Sequence, residues 1–159
     1  MSRDEKPDSR YSVEMISSDL LRAYRETSYI VASDEAGGAE GRFTLNIGIA
    51  SLPLMSLYRH HGVDCAAFIT AFNPHSRREA GTRNHAMQAQ LRAWTERHGY
   101  FYLKGVGQHP TGAWPGEPSL LILGLPLAQA KSLGRVYGQN AVVWCDHDAV
   151  PQLLLVEDA

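Results

Sequence analysis

A run of amide and hydroxyl side chains is the part of this sequence best suited to binding chemistry. The stretch FITAFNPHSRREAGTRN, residues 68–84, begins as an apolar segment and ends in groups that donate and accept hydrogen bonds. Arginines within it add positive charge, so a small polar or anionic ligand, including a nucleotide-like one, fits this chemistry. The candidate ligand-binding residues in this region are Thr70, Asn73, Ser76, Arg77, Arg83, Asn84 and Gln88.

Two further polar residues stand at the start of apolar segments. Glu117 opens GEPSLLILG, where a carboxyl group can act as a general acid or base, or can be solvated or hold a loop N–H. Gln139 lies in YGQNAVVW, and a buried amide must find hydrogen-bond partners. Glu117 is therefore a catalytic candidate. Gln139 is a ligand-binding candidate, with bonding to backbone across the sheet as its alternative.

A structural role is the alternative for the polar run as a whole. Asn and Ser often cap helices and form turns where a strand connects to a helix. Asn73 before Pro74 can form an Asx-turn, and Thr82 can cap the helix that follows. On that interpretation the polar residues clamp the connection, and the protein is a structural or partner-binding domain.

Metal and cofactor motifs are missing from the sequence. Its seven histidines occur without HExxH, CxxC or repeated carboxylate spacing, so no metal site is predicted. The glycine-rich segment GVGQHPTGAWPG lacks the Lys-Ser/Thr pair of a phosphate loop, and neither GxGxxG nor GxSxG occurs, so no cofactor is predicted. Cys65 and Cys145 adjoin apolar runs and are predicted to be buried free thiols.

Hydrophobic periodicity predicts the elements that position the polar run, in the order α-β-β-α-β-α-β-β-α-β-β. The run CAAFITAF, residues 65–72, is predicted to be a central strand covered on both faces. A helix is predicted over residues 82–98, with Met87, Leu91 and Trp94 facing the sheet. The polar side chains are then expected to converge at the C-terminal end of the strand, beside a helix N-terminus.

The interleaved but not strictly alternating elements predict an α/β fold: one mixed β-sheet of about six or seven strands with helices packed on it, with α+β as the alternative. Residues 13–159 are predicted to form this single domain, because the chain length suits one core and no linker or repeat occurs. Residues 1–12 are polar and aperiodic, which predicts a disordered tail.

Composition limits the class of partner and the compartment. The formal net charge is −2, so there is no overall basic field to hold nucleic acid, although the local arginines leave a nucleic-acid-associated role open. The N-terminus lacks the apolar core of a signal peptide, and no segment reaches the roughly 20 apolar residues of a membrane helix. We therefore expect a cytoplasmic protein without membrane contact. The sequence does not indicate an oligomeric state.

The order and spacing of several short segments resemble a known family. AYRETSY, FITAFNPHS, Asn84 followed by Leu91, GEPSLLILG and YGQNAVVW are similar to segments of small bacterial proteins grouped as domain of unknown function 3293. The likeness spans roughly Leu20 to Trp144. The family has no established activity, substrate or catalytic residues, so the resemblance implies the extent of a bacterial domain and no particular function.

Two functional hypotheses share the same pocket. In the first, the polar run and its arginines bind a small polar or anionic ligand. In the second, the protein is an enzyme in which Glu117 is the general acid or base, while Asn73 and Asn84 orient substrate or stabilise an oxyanion. The sequence does not decide whether the protein is an enzyme. The enzyme hypothesis fails if the folded chain places Glu117 far from Asn84.

Overall fold

The computed structural model describes residues 17–32, 41–112 and 115–156, and its helices and strands follow the predicted order. The helices are α1 (Ser18–Glu26), α2 (Leu52–His61), α3 (Gly81–Arg97) and α4 (Leu127–Val136), and a 3₁₀ turn spans Pro74–Ser76. The strands are β1 (Ser28–Ala32), β2 (Arg42–Leu45), β3 (Ala66–Ile69), β4 (Tyr102–Gln108), β5 (Glu117–Leu123), β6 (Ala141–Cys145) and β7 (Pro151–Leu155). The predicted tail, residues 1–12, lies outside the described residues.

The seven described strands form one sheet in the order β2-β1-β4-β5-β3-β6-β7, which confirms the predicted strand number and the α/β class. All the strand pairings in the described ranges are antiparallel, so the expectation of a mixed sheet was wrong in this respect. Strands joined by a helix run in the same direction but are not neighbours. β5 separates β3 from β4, and β3 separates β5 from β6.

The segment from β3 to β6 has the split β-α-β arrangement of ferredoxin-like folds, since a third strand is inserted between two strands that a helix joins. β3 lies at the centre of this segment. It pairs with β5 from Ala66 opposite Leu123 to Ile69 opposite Leu120. On its other side it pairs with β6, where Ala66 is opposite Cys145. The C-terminal end of β3 therefore lies beside the start of β5, the strand that Glu117 opens.

Side chains that alternate along β3 divide the core into two layers. All of β3 is buried, as predicted for a strand covered on both faces. Ile69 belongs to the layer that contains Leu91 of α3 and Leu133 of α4. Phe68 belongs to the opposite layer, which contains Leu57 of α2. The predicted stripe of α3 is confirmed, because its other two members pack against the first layer as well.

Local signals start and end the helices largely as expected. The Ser51 hydroxyl accepts a hydrogen bond from the Leu54 N–H at 3.2 Å and caps α2, which ends at Gly62 in the left-handed conformation (φ 65°). Thr82 does not cap α3: the cap position is Ala80, which makes no side-chain capping bond. None of the helices in the described ranges is long and apolar enough to cross a membrane.

Candidate functional site

A cavity of about 720 Å³ lies where α1 approaches the ends of the central strands. This volume is typical of pockets that enclose small molecules. Its apolar lining includes Leu20 of α1 together with Tyr29, Phe68 and Val143 of the sheet. Polar side chains line another part of the same cavity: Tyr24, Thr70, Asn73, Ser76, Asn84, Glu117, Ser119 and Gln139.

The turn after β3 has an unusual backbone. Asn73, His75 and Ser76 all have positive φ angles, of 48°, 59° and 57°. Such conformations cost roughly 1–3 kcal/mol each in non-glycine residues and persist where the surroundings enforce them. The His75 N–H donates to the carbonyl of Gly138 at 2.7 Å. A Cβ atom at Gly138 would lie 3.0 Å from the Cβ of Pro74, so glycine allows the close approach.

Asn73 and Asn84 hold each other through two hydrogen bonds. The Asn73 backbone N–H donates to Oδ1 of Asn84 at 2.9 Å, and Nδ2 of Asn84 donates to Oδ1 of Asn73 at 2.8 Å. The Glu79 N–H also donates to Oδ1 of Asn73, and the Glu79 carbonyl accepts from Nδ2 of Asn84. Asn84 is 5% exposed, and its side-chain bonds are all made to the turn. It therefore positions Asn73 and does not present groups to a ligand.

Glu117 lies beside this pair. Nδ2 of Asn73 donates to Oε1 of Glu117 at 2.9 Å, so a continuous chain of hydrogen bonds joins Glu117 to Asn84. The geometric condition of the enzyme hypothesis is met. Burial raises the pKa of Glu117 above its ordinary value, and the hydrogen bond from Asn73 partly offsets that rise. Among the described residues, no group donates a hydrogen bond to Oε2 of Glu117.

Ser76 joins three elements at the edge of the cavity. Its hydroxyl is 2.7 Å from the hydroxyl of Tyr24 on α1, and it accepts a hydrogen bond from Nδ2 of Asn140 at 2.8 Å. The Tyr29 hydroxyl donates to the Tyr24 carbonyl at 2.6 Å, which holds the end of α1 against β1. These bonds connect α1 to the start of β6 and to the turn at residues 73–76, which we call the strained turn because of its positive φ angles.

Three of the predicted ligand-binding residues bond to backbone around the turn. The Thr70 hydroxyl donates to the Pro118 carbonyl at 2.7 Å, and Oε1 of Gln88 accepts from the Ala71 N–H at 2.9 Å. Nε2 of Gln139 donates to the Phe72 carbonyl at 3.0 Å. For Thr70 and Gln88 these contacts match the clamping alternative, and Gln88 does not line the cavity. Gln139 does line the cavity, and only its Nε2 is used in these side-chain bonds, so its Oε1 is without a partner among the described residues.

The structure does not bring the predicted arginines to the polar side chains. Arg77 and Arg83 do not line the cavity. The Arg83 side chain is 69% exposed and lies 3.8 Å from the carboxylate of Glu79, one helical turn before it. The arginine that lines the cavity is Arg78, which is exposed. The left-handed residues of the turn change the side-chain directions, which residue spacing alone does not reveal.

The thiols and histidines form no separate centre in the described part of the chain. Cys65 and Cys145 are buried and free, and burial raises the pKa of the Cys145 thiol to about 12. Across residues 17–32, 41–112 and 115–156, no group of three or more His, Cys, Asp or Glu side chains is placed to hold a metal ion.

Several lining residues were not predicted from sequence. Tyr24 is consistent with the apolar stripe of an amphipathic helix, and its spacing gives no sign that its hydroxyl reaches Ser76. Tyr29 and Ser119 alternate along strands like ordinary core residues. Asn140 does not line the cavity but bonds to Ser76, which does. It follows directly after Gln139, and two adjacent amides at the start of a strand are a signal that could have found it.

The topology and cavity define an α/β protein whose ferredoxin-like segment carries a polar pocket at the strand ends. The model of the family described as protein of unknown function (DUF3293) matches residues 69–142, which confirms the family that the sequence resembles over this segment. The matched segment contains Asn73, Asn84, Glu117 and Gln139. No curated protein and no solved structure matches the chain significantly.

Proposed function

We propose that this protein binds a small polar molecule in the cavity beneath α1. The observation that carries the proposal is the Glu117 carboxylate, which lies in a cavity of about 720 Å³ with one oxygen bonded to Asn73 and the other without a partner among the described residues. A carboxylate in such a position loses hydration, so it destabilises the folded protein unless a ligand compensates.

The surrounding contacts support binding over clamping alone. The connection after β3 is already held by Thr70, Gln88 and Asn84 through bonds to backbone. A neutral amide at position 117 would still accept the bond from Asn73, although more weakly than a carboxylate, and it would not carry the cost of a partly buried charge. Ligand-binding groups commonly lower stability in this way. The buried free thiols are in keeping with the reducing cytoplasm of a bacterium, where we propose that the protein acts.

A thermal-shift screen with matched variants tests the proposal. The panel contains adenosine, cytidine, arginine, agmatine, putrescine and benzamidine, with AMP, citrate and benzoate as anions. A compound present at 100 times its Kd adds about 2.7 kcal/mol to the free energy of unfolding, which is a shift of several degrees. We expect at least one compound to stabilise wild type and Glu117→Gln unequally. Glu26 is exposed on α1 and outside the cavity, so Glu26→Gln should behave as wild type.

The proposal fails if no compound raises the melting temperature of the wild type. It fails equally if every compound that does so stabilises Glu117→Gln to the same extent, because the ligand then binds elsewhere.

An enzyme is the second candidate, and a specific observation favours it. Glu117 combines a raised pKa with a fixed orientation, since Asn73 holds one of its oxygens. These are properties of a general acid or base. Asn84 would serve as a positioning residue, because its side chain bonds to the turn. ¹H NMR of each bound compound over time should then show conversion by wild type and by Glu26→Gln but not by Glu117→Gln. Absence of conversion for every compound that binds contradicts this candidate.

A further inference from the structure

Two side-chain acceptors in the cavity have no partner among the described residues, and the hydrogen-bond network shows which atoms they are. Oδ1 of Asn73 accepts from the Glu79 N–H, so its Nδ2 must be the atom that faces Glu117. Nε2 of Gln139 donates to the carbonyls of Phe72 and Tyr137, so its Oε1 points elsewhere. Neither Oε2 of Glu117 nor Oε1 of Gln139 has a partner among the described residues.

Most side-chain donors that line the cavity are already used within the protein. The hydroxyls of Thr70 and Ser119 donate to the carbonyls of Pro118 and Glu117. The Tyr29 hydroxyl donates to a carbonyl of α1, and Nδ2 of Asn84 donates to the turn. A ligand that needs donors from the protein therefore finds few of them here.

The remaining donors do not form a site for an anion. The second hydrogen on Nδ2 of Asn73 belongs to the same nitrogen that bonds Glu117, so an anion there would approach a carboxylate. The pair formed by Tyr24 and Ser76 retains one hydroxyl hydrogen. Arg78 is exposed, so water screens its charge. His109 also lines the cavity, and because its Nδ1 accepts from the Thr111 N–H, its Nε2 adds one further donor.

The two free acceptors are anchored to neighbouring points of the turn. Glu117 bonds to Asn73, and Gln139 bonds to Phe72, the residue immediately before it. The apolar lining of the same cavity includes two aromatic rings: Tyr29 and Phe68 stand edge to face with ring centroids 5.3 Å apart. Acceptors, one negative charge and aromatic faces together suit a positively charged nitrogen with N–H donors.

We infer that the cavity takes a small organic cation that presents N–H donors on a compact apolar body, such as an amidinium, a guanidinium or a protonated amine. This inference rests on the proposed function and narrows its ligand class. It differs from the anionic ligand that the sequence suggested. That expectation used the helix N-terminus and the charge of Arg77 or Arg83, and neither arginine lines the cavity. Glu117 pairs with the positive charge, and Oε1 of Gln139 accepts a further N–H.

Benzamidine and benzoate test the inference, because they have nearly the same shape and opposite charge. Each is titrated into ¹⁵N-labelled protein, and the amide signals of Gly107 and Gly116, which line the cavity, are followed. We expect benzamidine to shift both signals and benzoate to shift neither. Glu117→Gln should weaken benzamidine binding by about tenfold or more, because it removes the charge of the ion pair. Glu26→Gln should leave the affinity unchanged.

The benzamidine and benzoate titrations separate the cationic-ligand inference from the proposed function. Shifts with benzamidine that Glu117→Gln weakens support the inference, provided that the variant keeps the signal dispersion of the folded protein. Benzoate binding equal to or stronger than benzamidine binding overturns the cationic ligand and leaves the proposed function standing. If neither probe shifts the cavity signals, the inference is overturned, and the proposed function falls with it when the thermal-shift panel is also negative.

Discussion

The two faces of the sheet are covered in different ways. On one face, α3 and α4 bury Leu91 and Leu133 to 0% and 4% exposure against the strands. On the other face, α2 packs in the same manner, but no residue of α1, all of which is described, is buried. Hydrogen bonds such as that between Tyr24 and Ser76 hold α1 instead, and the cavity lies beneath it.

This difference indicates that the closely packed helices stabilise the fold, while the ligand binds beneath the loosely packed α1. Burying a leucine side chain contributes about 1.5–3 kcal/mol, whereas a hydrogen bond contributes a net of roughly 1 kcal/mol. The α3–α4 face therefore gains more packing energy than the region beneath α1 does. The α1 region leaves volume unfilled and can open at lower cost, as binding regions commonly do.

The largest expected effect contrasts the same substitution on the two faces. Leu91→Ala should lower the free energy of unfolding by about 2–5 kcal/mol, because it leaves a void in a closed layer. Leu20 is partly exposed and lines the cavity, so Leu20→Ala should cost about 1 kcal/mol or less. Urea unfolding of the two variants measures the difference. Equal losses would contradict the contrast between the faces.

The strained turn provides the second contrast. Asn84→Ala should cost about 1–3 kcal/mol, because it leaves the Asn73 N–H without a partner and removes one of the two hydrogen bonds to Oδ1 of Asn73. Calorimetry should show a melting temperature lower by roughly 3–10 °C. Asn46 is exposed, and Asn46→Ala should stay within about 0.5 kcal/mol of wild type. An unchanged melting temperature for Asn84→Ala would mean that this amide does not clamp the turn.

A pair of glycines with the same backbone conformation sharpens that result. Gly138 has φ of 64° and Gly62 has φ of 65°, so Ala at either position has a similar backbone penalty of about 1–2 kcal/mol. A Cβ at Gly62 meets no atom within 4 Å, whereas one at Gly138 lies 3.0 Å from Pro74. Gly138→Ala should therefore be the more destabilising in thermal unfolding, by about 1 kcal/mol. Equal losses of stability in Gly138→Ala and Gly62→Ala would show that the turn can move away from a Cβ at position 138 without a loss of free energy.

The smallest expected effect is an increase in stability. Glu117→Gln should raise the free energy of unfolding near neutral pH by roughly 0.5–2 kcal/mol, because it removes a charge that burial disfavours. The folded state holds the Glu117 proton more tightly than the unfolded state does. The protonated Glu117 side chain therefore contributes stability at pH values below its ordinary pKa of 4.5, and this contribution is lost as pH rises through the raised pKa.

Unfolding at several pH values measures this gain. The advantage of the variant should disappear towards about pH 4. The other titratable groups that line the cavity are the same in both proteins: Tyr24, Tyr29, Arg78, Glu79 and His109. A loss of stability at neutral pH would mean that the carboxylate is a structural clamp, and it would count against the contrast between the faces.

Local patterns in the sequence predicted the elements and much of the site. The spacing of apolar residues predicted the helices because each helix packs one apolar stripe against the sheet. In α3, Leu91 belongs to that stripe and is fully buried. The convergence of Asn73 and Asn84 followed from placing polar residues at the end of a buried strand. The position of Glu117 was left open as a condition of the enzyme hypothesis, and the structure brings it to Asn73.

The remaining features depend on contacts between distant segments. The antiparallel sheet arises because β5 inserts between β3 and β4, and no local signal specifies which strands become neighbours. The Tyr24 hydroxyl reaches Ser76 across 52 positions of the chain. The absence of Arg77 from the cavity depends on the left-handed residues His75 and Ser76 beside it, and non-glycine residues adopt that conformation uncommonly.

The strand order has a consequence for synthesis on the ribosome. β3 is wholly buried in the finished sheet, yet both of its neighbours, β5 and β6, come later in the chain, after α3 and β4. At roughly 5–20 residues per second, the apolar strand waits for several seconds before either partner emerges. During that time the nascent chain leaves both edges of β3 unpaired, so we expect the sheet to close around β3 only after β5 and β6 have emerged.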